Sequence, residues 1–255
     1  MILSTKYWLN LEIKPMYKIS VLFGVLLLAL ACGNSIPSIK IEFISKTKIV
    51  VTEPSGLTFY NGSLFVISDA NSFLYQMSLS GKLEHKYAVP VKGMEGVAFD
   101  EKKKAFVLLS ETKRKMTYYS LKDGVGASYK IKGKQSADND GLEGVCFNSK
   151  KESLYVLNEA KPKKLLKISS KGKIKKNYDL SFGKDVSGIV YDDVLDVFWI
   201  LSDASKALYK VDDKGELLQE FPLSIEKAEG IAIDDQRRLY IVSDQTADLF
   251  IFQIK

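Results

Sequence analysis

Two sets of oxygen-bearing residues recur along the chain at nearly constant intervals, each tied to a short apolar run. The first set stands immediately before a glycine: Glu95, Glu143 and Glu229, with Ser55 and Ser187 at the other two positions. The glycines that follow are Gly56, Gly96, Gly144, Gly188 and Gly230, spaced 40, 48, 44 and 42 residues apart. The second set closes the next apolar run: Asp69, Glu111, Glu159, Asp203 and Asp244, spaced 42, 48, 44 and 41. Where serine replaces an inner acid, an acid stands two residues earlier, at Glu53 and Asp185. Carboxylates gathered in one site repel and hold protons unless a cation intervenes. Oxygen donors without usable histidine or cysteine select a hard cation. A roomy ring of carboxylate, hydroxyl and carbonyl donors suits calcium better than magnesium, which demands a tight octahedron. Glu95, Glu143 and Glu229 are therefore expected as inner calcium ligands, with Ser55 and Ser187 adding hydroxyl or water-mediated contacts. For the outer set, turn capping is the competing explanation, because Asp and Ser also bond to nearby backbone amides.

The elements that must carry these residues follow from the repeat. Each glycine opens a short run, from SGLTF to EGIAI, and each outer acid ends a second run, from LFVISD to LYIVSD. A third run follows in every repeat. Four repeats add a more polar fourth: HKYAV (85–89), ASYKI (127–131), NYDL (177–180) and LQEFPL (218–223). Glycine-centred turns separate the third and fourth runs, and Asn61-Gly62 separates the first two runs of repeat one, which reads as hairpins. Four antiparallel strands per 40–48 residues is the dimension of a propeller blade. The fold class is all-β: a five-bladed β-propeller of four-stranded antiparallel blades. The fifth repeat ends after three strands. The β-rich segment Ile39–Val51 is expected to supply its missing outer strand, closing the ring and removing an exposed edge. An open sandwich would show turn spacing without this long-range phase.

In such a ring the first strand of each blade lines the axis and pairs with the second. The start of one then lies beside the end of the other, so both acid sets face one channel mouth. His85, the only histidine, falls in an outer strand, which sets aside zinc sites and a Ser-His-Asp triad. Asp138-Asn139-Asp140-Gly141 reads as a turn, and the lysine runs 102–104, 161–167 and 171–176 as solvated loops. Cys146, in the apolar run GVCF, reads as a small buried hydrophobe.

The N-terminus is a targeting segment. Lys18 precedes the apolar run Ile19–Ala31, and Ala29-Leu30-Ala31-Cys32 has the form of a bacterial lipobox. Residues 1–31 are expected to be a signal peptide, with Met16 a second candidate start. Cys32 is the lipidated residue of a tether over 32–38, and the propeller spans 39–255. Gly33 after the cysteine favours the outer membrane, facing the periplasm. The formal charge is +6, of which +2 lies in residues 1–31. This mild, scattered excess argues against nucleic acid as a partner.

The stretches EPSGLTF, GLEGVCF, LYVLNEA, VSGIVYD and EGIAIDD…LYIVSD resemble the SdiA-regulated domain family of bacterial propellers, distantly similar to NHL-repeat and gluconolactonase-type propellers. The resemblance runs from about Ile39 to Lys255. It implies a five-bladed ring, a bound calcium ion and an envelope-anchored protein, and it supplies no reaction. Three functions stay open: a monomeric, lipid-anchored binding or signalling module whose mouth takes a small-molecule or protein ligand; a calcium-dependent hydrolase of an ester, lactone or phosphate ester; and a metal-free scaffold. The lactonase-like relatives pair calcium with a nearby histidine, which this chain lacks at the mouth.

Overall fold

Asn61 and Gly62 build the first hairpin as their types demand. Both adopt positive φ, +48° and +79°, the conformation a two-residue turn needs to match the twist of its strands. The computed structural model describes residues 39–111, 113–133, 141–159 and 162–255. The signal segment 1–31, Cys32 with its tether, Asp138–Asp140 and Lys161 lie outside the described residues.

Twenty strands form five four-stranded antiparallel sheets. The first strand, β1 (Ile41–Lys48), stands apart from its sequence neighbours. Blade one is β2 (Pro54–Tyr60), β3 (Ser63–Ser68), β4 (Phe73–Met77) and β5 (Leu83–Ala88). Blade two is β6 (Met94–Asp100), β7 (Ala105–Ser110), β8 (Lys115–Ser120) and β9 (Gly124–Lys130). Blade three is β10 (Leu142–Asn148), β11 (Ser153–Asn158), β12 (Lys164–Ile168) and β13 (Ile174–Asp179). Blade four is β14 (Ile189–Asp192), β15 (Val197–Ser202), β16 (Ala207–Val211) and β17 (Leu217–Pro222). Blade five is β18 (Ala228–Ile233), β19 (Arg238–Ser243) and β20 (Asp248–Ile254), completed by β1 in the order β1-β20-β19-β18. Ile41 pairs with Ile254 and Lys48 with Asp248, so the expected closure by the N-terminal strand holds. The inner strands touch in sequence around the axis, β2 to β6, β6 to β10, β10 to β14, β14 to β18 and β18 back to β2.

Burial explains the composition of each strand. The second strand of every blade is almost wholly buried, because both of its faces pack on neighbouring blades. The outer strands turn polar because they meet solvent. The core is five separate seams, one between each pair of blades. Tyr155 and Leu157 of blade three, for example, pack with Phe198 and Tyr209 of blade four, and Trp199 of blade four packs with Leu239 and Ile241 of blade five. Each such side chain contributes about 1.5–3 kcal/mol on leaving water. Cys146 is buried in the seam between blades three and four. His85 lies on β5, paired with Gln76.

The repeated glycines have a steric cause. A Cβ on Gly96 would stand 2.4 Å from the Glu143 carbonyl oxygen, and one on Gly188 would stand 2.2 Å from that of Glu229. Adjacent inner strands touch backbone to backbone, and only glycine permits that approach. The same contact fixes the main chain of the following glutamate.

Candidate functional site

Each inner acid or serine occupies the same backbone irregularity. In blade two Met94 pairs with Ser110 and Gly96 with Leu109, leaving Glu95 unpaired between them. Blade five repeats this, with Ala228 opposite Ser243, Gly230 opposite Val242 and Glu229 between. Blade one leaves out Ser55 in the same way, and the ladder of blade three shifts between Leu142 and Val145, across Glu143. In blade four Leu201 bonds both to Ser187 N–H and to Gly188 carbonyl, again two residues against one. These are β-bulges, which bend a strand and re-aim one side chain. In an unbroken ladder, residues 95 and 97 would share a face and 96 would point the other way. The bulge breaks that alternation: Glu95, Glu143 and Glu229 line the axial mouth, and the aliphatic residue after each glycine lines the channel neck.

The mouth is a cavity of about 320 Å³. It is lined by all five inner residues, Ser55, Glu95, Glu143, Ser187 and Glu229, and by all five outer acids, Asp69, Glu111, Glu159, Asp203 and Asp244. Asp185 lines it too, whereas Glu53 does not, although its charge reaches Asp69. Among the described residues, nine carboxylates thus share one opening with a single cation, Lys227.

Lys227 was not foreseen from the sequence. The signal for it is its place two residues before an inner acid, the position held by Glu53, Gly93, Gly141 and Asp185 in the other blades. The main chain needs positive φ there in at least three blades, +47° at Glu53, +56° at Gly93 and +49° at Lys227. The hairpin closes at this point: Glu111, Glu159 and Asp244 donate their amides to the carbonyls of Gly93, Gly141 and Lys227 at 3.3, 3.0 and 2.9 Å. The Lys227 ammonium lies 3.9 Å from Asp244.

Within this ring the acids differ in role. One oxygen from each of Glu111, Glu143 and Glu159 lies within 4.8 Å of the others. Ligands on one calcium at about 2.3–2.6 Å can stand at most about 5 Å apart, so this trio fits a single ion. Among the described residues it is the one such group, and it differs from the expected inner trio. Glu143 belongs to both, but its close partners are outer acids of blades two and three rather than Glu95 and Glu229. Glu111 is buried and its Oε1 accepts the Gly141 amide at 3.1 Å, which orders the turn leading into Glu143. Asp203 and Asp185 serve turns: Asp203 accepts the Lys227 amide at 2.8 Å, and Asp185 accepts the Ala204 amide at 3.0 Å and the Ser202 hydroxyl. The two serines are inter-blade staples. Ser55 donates to the Met94 carbonyl at 2.5 Å and Ser187 to the Ala228 carbonyl at 2.7 Å, which leaves only oxygen lone pairs for a ligand.

The electrostatic consequence is a site charged with protons. Burial, reinforced by Asp69, Glu111, Glu229 and Asp244, pushes the Glu95 carboxyl up to about 9. Burial and then Asp203 push Glu229 up to about 8, against the opposing pull of Lys227. Glu143 lies well above the ordinary carboxylate range, from burial and then Glu95, Glu159, Glu229 and Glu111. Asp69 and Asp244 are raised as well, first by burial. A divalent cation would reverse every one of these shifts.

Fold and site together define a five-bladed propeller with an acidic axial mouth. The chain belongs to the SdiA-regulated family, whose sequence profile matches residues 37–252. No curated protein sequence matches it. Among solved structures it is similar to a glutaminyl cyclase from Myxococcus xanthus, with a TM-score of 0.68, 15% identity, and coverage of 84% of this chain and 96% of that one. It is also similar to the PQQ-bound aldose sugar dehydrogenase of Streptomyces coelicolor, with a TM-score of 0.55, 12% identity, and coverage of 86% and 99%. At these identities the likeness is one of fold.

Proposed function

We propose that this protein is a lipid-anchored propeller of the bacterial envelope that binds calcium at its axial mouth and works as a binding or signalling module. The observation that carries the metal reading is the convergence of Glu111, Glu143 and Glu159 on one point, inside an opening where burial and mutual repulsion push the carboxyls of Glu95 and Glu229 up. The ion would supply the positive charge that lets them ionise together. Glu111, Glu143 and Glu159 would hold it, and Glu95 and Glu229 would set the field around it and face whatever docks above.

A calcium titration followed by calorimetry tests this. Wild-type protein is expected to bind one ion, and Glu143→Gln to bind at least about tenfold more weakly, since the ion loses one charged oxygen ligand. Equal affinity in the two proteins would reject Glu143 as a ligand, and no heat in either would reject the metal site. The anchor rests on Ala29-Leu30-Ala31-Cys32. Cells labelled with tritiated palmitate should yield a labelled band that Cys32→Ser abolishes; label persisting in that variant would refute acylation at Cys32. Hydrolysis draws no support from the mouth's two serines, whose protons go to backbone carbonyls, so binding is the better-supported role.

A further inference from the structure

The inner strands carry a second pattern that the calcium mouth does not use. Two residues beyond Leu57, Val97, Val145, Ile189 and Ile231 stand Phe59, Phe99, Phe147, Tyr191 and Ile233. Strand alternation puts each pair on the same face of its strand, toward the axis. The first five narrow the channel to a neck of about 10 Å³, room for one water at most. The second five line a separate cavity of about 370 Å³ at the other end of the channel. That size lies in the range of small-molecule sites. Four of these five residues are aromatic, one from each of blades one to four; Phe99 and Tyr191 are buried in the blade seams, and Phe59 and Phe147 are half-buried.

The charges at this end are unequal in their commitments. Asp192 accepts the Trp199 indole N–H at 3.0 Å and is paired with Arg237. Asp234 accepts Tyr240 O–H at 3.0 Å and Arg238 Nε at 2.7 Å. Glu101 pairs with Lys104 at 2.9 Å. Asp193 and Asp235 also line the cavity and are exposed, and among the described residues neither forms an ion pair. The one cation in the wall, Arg237, is therefore already neutralised, and two carboxylates at the rim are not.

We infer that this funnel is a binding site for a small organic ammonium ion, its apolar body against the exposed parts of the Phe59 and Phe147 rings and its charge toward Asp193 and Asp235. A cation over aromatic faces is attracted by the ring quadrupoles. An alkylated ammonium sheds its weakly held water easily and can rest its methyl groups on the exposed parts of these rings, whereas an inorganic cation would have to give up tightly held water to do so. An anion would be repelled by Asp193 and Asp235. The neck separates this site from the mouth, so the two can be occupied independently.

The experiment is a calorimetric titration of the full-length, calcium-saturated protein with choline and with its uncharged carbon isostere 3,3-dimethylbutan-1-ol. Choline is expected to bind at least about tenfold more tightly than the isostere. Asp193→Asn/Asp235→Asn and Phe147→Leu should each weaken choline several-fold, while Glu143→Gln at the mouth should leave it unchanged. Asp193 and Asp235 are exposed and lack ion-pair partners, so the double variant is expected to fold, which its unfolding midpoint would verify. Equal binding of choline and isostere, no binding of choline up to tens of millimolar, or a response that follows Glu143→Gln instead of the funnel variants would each overturn the assignment.

Discussion

Saturating calcium at pH 8 is expected to raise the thermal midpoint of the propeller by about 5–10 °C, and at pH 5 by much less. The size follows from mass action: a ligand at a hundred times its dissociation constant adds about 2.7 kcal/mol. For a domain of this size each kcal/mol moves the midpoint by about 2–4 °C. The pH dependence follows from the carboxyls. Glu95 and Glu229 are raised from an ordinary 4.5 to about 9 and about 8 in the folded chain. Between those limits the native state holds protons that the unfolded state has released. Without calcium, the stability these two groups contribute is therefore greatest below about pH 4.5 and falls as pH rises toward their folded values, by up to about 1.4 kcal/mol per pH unit for each. This sign is opposite to that of a salt-bridged carboxylate. Bound calcium would replace the protons, so its effect should grow toward alkaline pH and its binding should release acid. Scanning calorimetry at both pH values, with calcium and with chelator, measures all of this. Equal shifts at pH 5 and pH 8 would contradict the protonated mouth, and no shift at either would remove the metal.

Gly188→Ala should be the most damaging conservative substitution in the ring, costing about 3 kcal/mol and lowering the midpoint by about 6–12 °C. The new methyl would meet the Glu229 carbonyl oxygen at 2.2 Å, and no rotamer change relieves a clash with backbone. Blades four and five would have to separate, carrying Glu229 with them. Gly144→Ala is the internal comparison. Its nearest neighbours are the Ile189 Cγ2 and amide at 3.0 Å, a tighter than ordinary contact but a softer one, so the loss should be smaller. Chemical unfolding of the two variants ranks them, and a Gly188→Ala protein as stable as Gly144→Ala would refute the backbone-contact account.

The architecture was readable because the chain states it five times. Two landmarks in phase, glycine and terminal acid, imply five blades, and a fifth repeat one strand short implies a closing partner, which β1 supplies. The identity of the mouth was also readable, since hairpin pairing alone places Glu95 and Glu111, or Glu143 and Glu159, at one end of a blade. Which acids touch was not. Pairing within one repeat says nothing of the distance from Glu111 in blade two to Glu143 in blade three, which depends on the angle between blades and on the bulge that swings Glu143 outward. Lys227 went unseen for a related reason: its role comes from a positive-φ position shared by unlike residues, Glu53, Gly93 and Lys227. Asp203, an outer acid, bonds to the amide of Lys227 in the next blade, which is the structural job the competing explanation gave that set; Asp185 takes a similar backbone role at Ala204, which nothing in the sequence pattern assigned to it.

The pairing of β1 with β20 governs the order of assembly. Each of the other four blades is complete within one contiguous segment and can zip up as it is made. Blade five joins residues from opposite extremities of the domain, with Phe43 packed edge-on against Phe252 at 5.7 Å. Until β20 is in place, β1 has no neighbour to bond. Ring closure thus requires both extremities of the domain at once, and any agent that offers β1 a substitute strand would hold the chain open at a single seam.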